Sequence, residues 1–199
     1  MYLIGIAGPS GSGKTELARA LALLLEAPIL SLDSYYRDLS HLPLDERARQ
    51  NFDVPDMLDH ELLLGHLRTL AAGGEIDIPL YDFARHARTP GTERLRAGAF
   101  GVVEGLWTLY WEDIRRLLGT KVYIAAPDEL CLDRRMERDV RERGRSPESV
   151  IEQYNTTVRP MAEQYILPER EFADVVVSGT DAIAASVEAV LSDVRHAKP

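Results

Sequence analysis

The chain has 199 residues, of which 45% are hydrophobic and 28% charged, and this composition excludes a wholly disordered or collagen-like protein. Its length fits a single domain, which we expect over residues 1–199, with a core large enough to fold without a metal or a disulfide. The 23 basic and 32 acidic residues give a net charge of −9, which argues against nucleic acid or an anionic membrane as a partner.

The cysteine content and the apolar pattern predict a cytoplasmic protein. Cys131 is the only cysteine, so a disulfide within the chain is excluded, and no spacing of cysteine and histidine is typical of a zinc site. No apolar run reaches the roughly 18 residues that a membrane span requires. The apolar start of the chain lacks a basic leader, so we interpret it as a buried strand.

Apolar runs and amphipathic segments alternate along the chain. They predict, in order, a strand at residues 2–7, a helix at 15–25, a strand at 28–32, and helices at 45–49 and 56–72. A two-stranded excursion follows at about 76–97, with a turn at Pro90 and Gly91. Next come a strand at 100–103, a helix at 107–118, a strand at 121–125, a helix at 128–143, helical residues 147–167 with a kink or break at Pro160, a strand at 172–177 and a helix at 181–195.

This alternation predicts an α/β fold of three layers, in which helices cover both faces of a parallel sheet of five strands. Ligands of such sheets bind beyond the carboxyl ends of the strands. The residues at those ends are Gly8, Asp33, Glu104, Pro127 and Ser178.

Residues 8–15 match the phosphate-binding pattern G-x-x-x-x-G-K-S/T in full, between a predicted strand and a predicted helix. Backbone N–H groups and the helix N-terminus would surround the β-phosphate, Lys14 would reach the β- and γ-phosphates, and Thr15 would bind Mg²⁺. The predicted nucleotide-binding residues are Gly8, Ser10, Gly11, Ser12, Gly13, Lys14 and Thr15. The motif predicts a nucleoside triphosphate but not the phosphate acceptor.

Two acids, Asp33 and Glu104, end the second and third strands of the predicted sheet. Beside a phosphate-binding loop, such acids bind Mg²⁺ or accept the proton of an attacking hydroxyl group. We assign Asp33 as the base and Glu104 as a metal ligand, with Thr15 and Asp33 as further metal candidates. A helix cap or a loop salt bridge is the alternative role for either acid alone.

Six arginines and four acids lie between residues 132 and 146. Arg134, Arg138 and Arg141 recur at helical spacing and share one face. Because the acids cannot neutralise all the arginines, we expect residues 128–146 to form a helical lid that closes over a triphosphate. The alternative is a solvated helix whose arginines pair with its own acids.

These motifs resemble those of the uridine–cytidine kinases, a family of P-loop nucleoside kinases, and of the bacterial uridine kinase branch in particular. The resemblance covers about residues 2–177 and rests on GIAGPSGSGKT, SLDSYYRDLSHLPLDERARQNFDVPDMLD, IPLYDFARHART, VVEGLW, RRMERDVRERGR and IEQYNTTVRPMAEQYILP. It implies transfer of the γ-phosphoryl group of ATP or GTP, with Mg²⁺, to the 5′-hydroxyl group of uridine or cytidine. It also implies a homo-oligomer such as a tetramer.

The resemblance implies roles for individual residues as well. Asp33 would activate the 5′-hydroxyl group, Asp53 would bind the ribose hydroxyls, and the loop at 179–181 would hold the adenine. Arg138 and Arg143 would face the triphosphate and act in catalysis together with Lys14 and Asp33. The other substrate-binding residues implied by the resemblance are Tyr36, Phe52, Tyr81, Phe83, His86, Arg135, Arg145 and Gln153.

The chemistry of a pyrimidine nucleoside suits the residues that the resemblance singles out. A carboxylate can accept two hydrogen bonds from a ribose diol, and a flat base can stack on Tyr81 or Phe83. A neutral histidine can donate to uracil or accept from cytosine through its choice of tautomer, so His86 predicts that both bases are accepted. The family often has histidine where this chain has Val54, so an imidazole is missing beside the acid expected to bind ribose.

Two other functions remain open for a chain with this phosphate-binding loop. A kinase of another small alcohol, such as pantothenate or a sugar phosphate, would have no pyrimidine to stack on residues 78–88. A regulatory NTPase of the GTPase type would carry an Asn-Lys-x-Asp motif and an Asp-x-x-Gly switch after the third strand, and neither is present. The sequence does not distinguish ATP from GTP, or uridine from cytidine.

Overall fold

The structure, a computed structural model, describes residues 1–197 without the side chains of Arg143, His196 and Ala197. Strands in this range are Tyr2–Ala7 (β1), Ile29–Ser31 (β2), Glu75–Asp82 (β3), Ala87–Arg96 (β4), Phe100–Glu104 (β5), Thr120–Ala125 (β6) and Val175–Ser178 (β7). Within the described range, a parallel sheet of five strands has the order β2-β5-β1-β6-β7, and β3 pairs with β4 as an antiparallel hairpin. The predicted α/β fold with a five-stranded parallel sheet is confirmed.

Helices connect the strands and end the described chain. They are Lys14–Leu25 (α1), Leu44–Ala48 (α2), His60–Ala71 (α3), Glu112–Arg115 (α4), Asp128–Arg143 (α5), Pro147–Gln153 (α6), Arg159–Met161 (α7) and Ile183–Ala197 (α8). The bounds of α5 are those predicted for the arginine-rich helix. No helix in the described part of the chain is long and apolar enough to cross a lipid bilayer.

Alternation along β1 divides the core into two layers, one on each face of the sheet. Ile4 and Ile6 face α1 and α8, where they pack with Leu17, Leu21, Val187 and Val190. Leu3 and Ala7 face the other side, where they pack with Leu63, Leu67, Leu70, Ile76, Ile78 and Trp107. Helices on one face, and helix α3 with the hairpin on the other, leave the carboxyl ends of the strands available to a ligand.

Helix α3 begins at His60, whereas the helical pattern predicted a start at residue 56. Pro55–Met57 forms a 3₁₀ turn, and Leu58 makes an isolated β-bridge with Tyr36. The Asp59 carboxylate then caps α3 by accepting the N–H of Leu62 at 3.3 Å. The sequence signal for this start is an acid three positions before the apolar run that begins at Leu62.

The helix predicted at 107–118 is wrong for most of its length, because only Glu112–Arg115 is helical. The Thr108 hydroxyl donates to the Gly105 carbonyl oxygen at 3.1 Å, and the Leu109 N–H donates to the buried Glu169 carboxylate at 2.7 Å. The Leu109 N–H is thus satisfied by a residue 60 positions later in the chain, and residues 106–110 form turns.

The hairpin turns at residues 83–86, not at Pro90 and Gly91 as predicted. The Asp82 carboxylate accepts two backbone N–H groups of this turn, at 2.9 and 3.1 Å. Pro90 and Gly91 lie opposite the point where the pairing register shifts, and Gly91 has a φ of +100°, so they form a bulge in β4.

The predicted break at Pro160 is absent. Arg159 and Ala162 keep helical backbone angles, and wide π-helical turns at Tyr154–Val158 and Ala162–Ile166 flank α7. Such turns accommodate a proline, which has no N–H to donate. A 3₁₀ segment at Leu167–Phe172 follows, so β7 begins at Val175 and not at residue 172.

Candidate active site

The phosphate-binding loop joins β1 to α1. Gly8, Gly11 and Gly13 all have positive φ angles, and a Cβ atom on Gly11 would lie 2.4 Å from the Cys131 carbonyl oxygen in α5. Only glycine fits so close a contact in this conformation. The buried Ser12 hydroxyl has no hydrogen-bond partner among the described residues. A loop of this shape with an unsatisfied hydroxyl fits a phosphate group.

Lys14 starts α1 with its side chain buried beneath the loop. Its Nζ donates to the Pro9 carbonyl oxygen at 2.8 Å. Burial lowers the pKa of Lys14, while the carboxylates of Glu104 and Asp33 act in the opposite direction. The ammonium group and the two carboxylates are therefore close enough to influence one another at the end of the sheet.

Glu104 ends β5, level with Ser31 of β2 and Ile6 of β1 in the parallel register. The Thr15 hydroxyl donates to Glu104 Oε2 at 3.4 Å. Burial raises the pKa of Glu104, and the Lys14 charge partly offsets that rise.

The Thr15 hydroxyl and the Glu104 carboxylate are suited to a Mg²⁺ ion. Among the described residues, no three His, Cys, Asp or Glu side chains cluster in a way that could hold a metal alone. Mg²⁺, however, keeps several waters and takes one or two carboxylates together with substrate phosphates. The Thr15 hydroxyl and the Glu104 carboxylate, which lie beside the phosphate-binding loop, provide oxygen ligands of the kind that this ion prefers.

Asp33 lies just beyond β2, in the 3₁₀ turn Leu32–Tyr35, and Asp53 is buried in the segment before α3. The pKa of the Tyr36 hydroxyl is raised well above its usual value, chiefly by burial and further by the negative charges of Asp33 and Asp53. The charge of Asp33 also raises the pKa of Lys14, against the effect of burial. The charge of Asp33 thus influences the pKa values of Lys14 in the phosphate-binding loop and of Tyr36 on the other side of the site.

Four of the predicted substrate residues form one aromatic cluster around Tyr36. Its ring centre lies 5.4 Å from that of Tyr81, 5.8 Å from Phe52 and 6.2 Å from Phe83. The buried Trp107 ring, 6.3 Å away, belongs to the same cluster. Trp107 was not predicted as a site residue, because the expected helix at 107–118 gave it no reason to face the site.

His86 stacks on Phe52 at the edge of this cluster, with ring centres 4.6 Å apart and planes 19° from parallel. Its φ of +49° is in the left-handed region, which is strained for a residue with a side chain. The hairpin turn therefore holds an imidazole beside a flat ring, an arrangement that can offer hydrogen bonds to the edge of a planar ligand.

Arg135, Arg145 and Gln153 are also brought together. Gln153 Oε1 accepts hydrogen bonds from Arg135, at 3.1 Å, and from Arg145. Arg135 Nη1 also donates to Ser10 Oγ at 3.1 Å, so it connects α5 to the phosphate-binding loop.

Asp139 is a residue of this site that the sequence analysis missed. Its carboxylate is fully buried and lies 2.8 Å from Arg138, 3.6 Å from Arg135 and 3.7 Å from Arg145. A single buried acid therefore forms ion pairs with three of the arginines that were predicted as site residues. The only sequence signal was its spacing of four residues from Arg135 on a helix.

The other arginines of α5 differ in their surroundings. Arg134 Nη1 lies 3.3 and 3.5 Å from two carbonyl oxygens of the phosphate-binding loop. Arg141 is exposed and pairs with Glu137 and Glu142, which is the arrangement expected of a solvated helix. The Arg143 side chain lies outside the described part of the structure.

The loop at 179–181 lies against the phosphate-binding loop. The Gly179 N–H donates to the Ala125 carbonyl oxygen at 2.7 Å, and a Cβ atom on Gly179 would lie 2.6 Å from the Ser12 carbonyl oxygen. Val54 is half-buried and precedes the 3₁₀ turn Pro55–Met57.

Comparison with known proteins gives a family match. The model of the phosphoribulokinase / uridine kinase family matches residues 3–184. A uridine kinase of Chloroflexus aggregans is 45% identical to this chain, over 95% of each protein. A uridine kinase of Tolumonas auensis is 40% identical, over 98% of this chain and 94% of that protein.

Solved structures share the fold. A Silicibacter kinase provisionally assigned to a fructose transport system superposes with a TM-score of 0.72 at 21% identity, over 88% of this chain and 89% of its own. A possible uridine kinase from Bacillus stearothermophilus has a TM-score of 0.61 at 20% identity, over 88% and 87%. At such identities the two structures support the fold and not the substrate.

Proposed function

The chain belongs to the phosphoribulokinase / uridine kinase family, and from this premise we propose that it is a uridine/cytidine kinase. It transfers the γ-phosphoryl group of ATP or GTP to the 5′-hydroxyl group of uridine or cytidine, which gives UMP or CMP. The uridine kinases that are 40% and 45% identical to it over nearly its whole length support this assignment.

The observation that carries the proposal is the aromatic cluster around Tyr36, next to Asp33. Flat rings beside a carboxylate suit a planar base whose sugar hydroxyl group must reach a proton acceptor. A kinase of pantothenate or of a sugar phosphate would have no planar base for these rings. A regulatory NTPase would need no acceptor site at all.

The proposed reaction is an in-line phosphoryl transfer. Asp33 accepts the proton of the 5′-hydroxyl group while that oxygen forms a bond to the γ-phosphorus. The bond from the γ-phosphorus to the oxygen bridging the β-phosphate breaks, and the nucleoside diphosphate leaves with the electron pair. Lys14, Arg138 and Arg143 stabilise the negative charge on the transferring group.

Thr15 and Glu104, with Asp33 nearby, are the residues proposed to hold Mg²⁺ beside the triphosphate. When bound, the ion neutralises charge on the β- and γ-phosphates. Glu104 is suited to this role because burial disfavours its charge until a cation compensates it. The Thr15 hydroxyl, which donates to that carboxylate, would supply an oxygen ligand for the ion.

The nucleoside is proposed to bind across the aromatic cluster. Asp53 accepts hydrogen bonds from the ribose hydroxyls, Tyr81 and Phe83 stack on the base, and His86 recognises its edge. The further residues proposed on this side are Tyr36, Phe52, Arg135, Arg145 and Gln153. Because Asp53 is buried, a deoxyribose would leave it half satisfied, so a ribose preference is expected.

The remaining expectations from the sequence are also proposals. They are a single kinase domain over residues 1–199, with a substrate hairpin at about 76–97 and a lid at about 128–146. They further include adenine binding at residues 179–181, a cytoplasmic location and assembly as a homo-oligomer such as a tetramer.

The test is a phosphoryl-transfer assay with γ-labelled ATP against uridine, cytidine, pantothenate and ribulose 5-phosphate as acceptors. We expect label in UMP and CMP and none in the other two products. Tight binding of ATP without transfer to either nucleoside would overturn the proposal, and transfer to another acceptor would identify the alternative.

A further inference from the structure

Arg88 lies on β4 directly opposite Tyr81 of β3. Its Nε donates to the Tyr36 carbonyl oxygen at 3.1 Å, and its Nη2 donates to Asp59 Oδ2 at 3.1 Å. Its backbone N–H donates to Asp38 Oδ1 at 3.2 Å. This one residue therefore joins the hairpin to the segment after β2 and to the start of α3.

The groups that receive these hydrogen bonds are themselves held in place. Asp59 uses its other oxygen to cap α3, and its backbone N–H donates to the Tyr35 carbonyl oxygen at 2.8 Å. Tyr36 forms a β-bridge with Leu58. Arg88 thus attaches the hairpin to a corner that is fixed by backbone hydrogen bonds.

The ion pair of Arg88 with Asp59 is largely shielded from water. The two side chains are 23% and 29% exposed. Shielded, charge-assisted hydrogen bonds hold geometry better than exposed ion pairs, which contribute little. The planar guanidinium also fixes two donors in different directions, which an ammonium group on a flexible stem does not do.

We propose that Arg88 is a positioning residue, which sets the separation between the hairpin ring Tyr81 and the segment that carries Tyr36 and Asp33. This inference rests on the proposed function, because those rings are the proposed walls of the nucleoside site. The rings of Tyr81 and Tyr36 lie 5.4 Å apart, and they belong to the two segments that Arg88 connects. Loss of Arg88 therefore weakens nucleoside binding and leaves the phosphate-binding loop intact.

The same strand offers a matched control. Arg94 donates to the Asp77 carboxylate at 2.9 Å from a side chain that is 56% exposed. That ion pair joins β4 to β3 within the hairpin and does not join the hairpin to the rest of the site. Arg94→Gln removes an arginine from the same strand without touching the connection.

The experiment measures initial rates of the purified full-length chain and its variants, with uridine and ATP varied in turn. For Arg88→Gln we expect the KM for uridine to rise roughly tenfold while the KM for ATP stays within about twofold. Arg88→Lys should restore only part of the uridine KM, and Arg94→Gln should match the unchanged chain.

An unchanged uridine KM in Arg88→Gln, or an equal rise in both KM values, would overturn the positioning role. If Arg88→Gln fails to fold, the uridine KM of Asp59→Asn is measured instead and should rise. This variant keeps an oxygen to cap α3 but loses the charge that pairs with Arg88. No rise in its uridine KM would also overturn the role. An unmodified chain that phosphorylates no nucleoside would instead refute the proposed function.

Discussion

The two ends of the candidate site are built in different ways. The proposed triphosphate end uses the backbone of eight consecutive residues, 8–15, with glycines that allow close contact with α5. The proposed nucleoside end uses side chains from residues 36, 52–53, 81–86 and 135–153, which meet only after folding. The first kind of site depends on local conformation, and the second depends on connections such as that of Arg88 with Asp59.

Asp33 is the proposed base, and its charge influences Lys14 at one end and Tyr36 at the other, so its replacement should produce the largest effect. Asp33→Asn should lower kcat by roughly 10²–10⁴-fold, the usual contribution of a general base, while both ends still bind their ligands. Steady-state rates and an equilibrium titration with ATP measure the two properties. Unchanged turnover would remove Asp33 from the role of base.

Asp139 also connects the two ends, through arginines proposed to serve each of them. Asp139→Asn should lower the free energy of unfolding by about 3–5 kcal/mol, because Arg135 would stay buried without a partner carboxylate. Denaturant unfolding measures the loss. Glu137→Gln is the control, since that acid is exposed on the same helix and should matter little. Equal stability of the two variants would contradict the importance of the buried acid.

Gly11 tests the triphosphate end alone. Gly11→Ala should lower the free energy of unfolding by about 1–3 kcal/mol and weaken ATP binding. The φ of Gly11 is +84°, and the added Cβ atom would clash with the Cys131 carbonyl oxygen. Gly65→Ala is the matched control. Gly65 lies in α3 with no atom within 4 Å of an added Cβ, so the change should stabilise the chain by about 0.5–1 kcal/mol. Normal ATP affinity in Gly11→Ala would argue against a close-fitting loop.

His86 tests the nucleoside end alone, and the effect should be the smallest. His86→Ala removes one proposed hydrogen bond of about 1 kcal/mol, so the KM for uridine should rise about fivefold with ATP binding unchanged. Initial rates with each substrate varied measure both values. Equal effects on uridine and ATP would remove His86 from the base-binding side and erase the distinction between the two ends.

The same contrast explains which parts of the fold were predictable from sequence. The bounds of α5 followed from helical spacing between Pro127 and Gly144, both of which are local signals. Residues 107–118 also have helical spacing, but only Glu112–Arg115 is helical, and the turns before it contact the distant Glu169 through the Leu109 N–H. The turn at 83–86 was missed because an Asp82 side chain closes it, whereas Pro90 and Gly91 formed a bulge.

The candidate site divides in the same way. The phosphate-binding loop was predictable because its eight residues are contiguous. Asp139 and Arg88 were not, since their roles arise from partners on other turns or other segments of the chain. Tyr81, Phe83 and His86 are proposed as base-binding residues only through the resemblance to a family, because residue spacing alone does not distinguish a hairpin core from a base-binding wall.

The two ends of the site are proposed to act together, so that a γ-phosphoryl group at one end is joined to a nucleoside at the other. The most direct measurement is phosphorus NMR of the products that the full-length chain forms from ATP, Mg²⁺ and uridine. We expect equal amounts of ADP and uridine 5′-monophosphate, with little inorganic phosphate. ADP with inorganic phosphate and no nucleoside monophosphate would contradict this expectation.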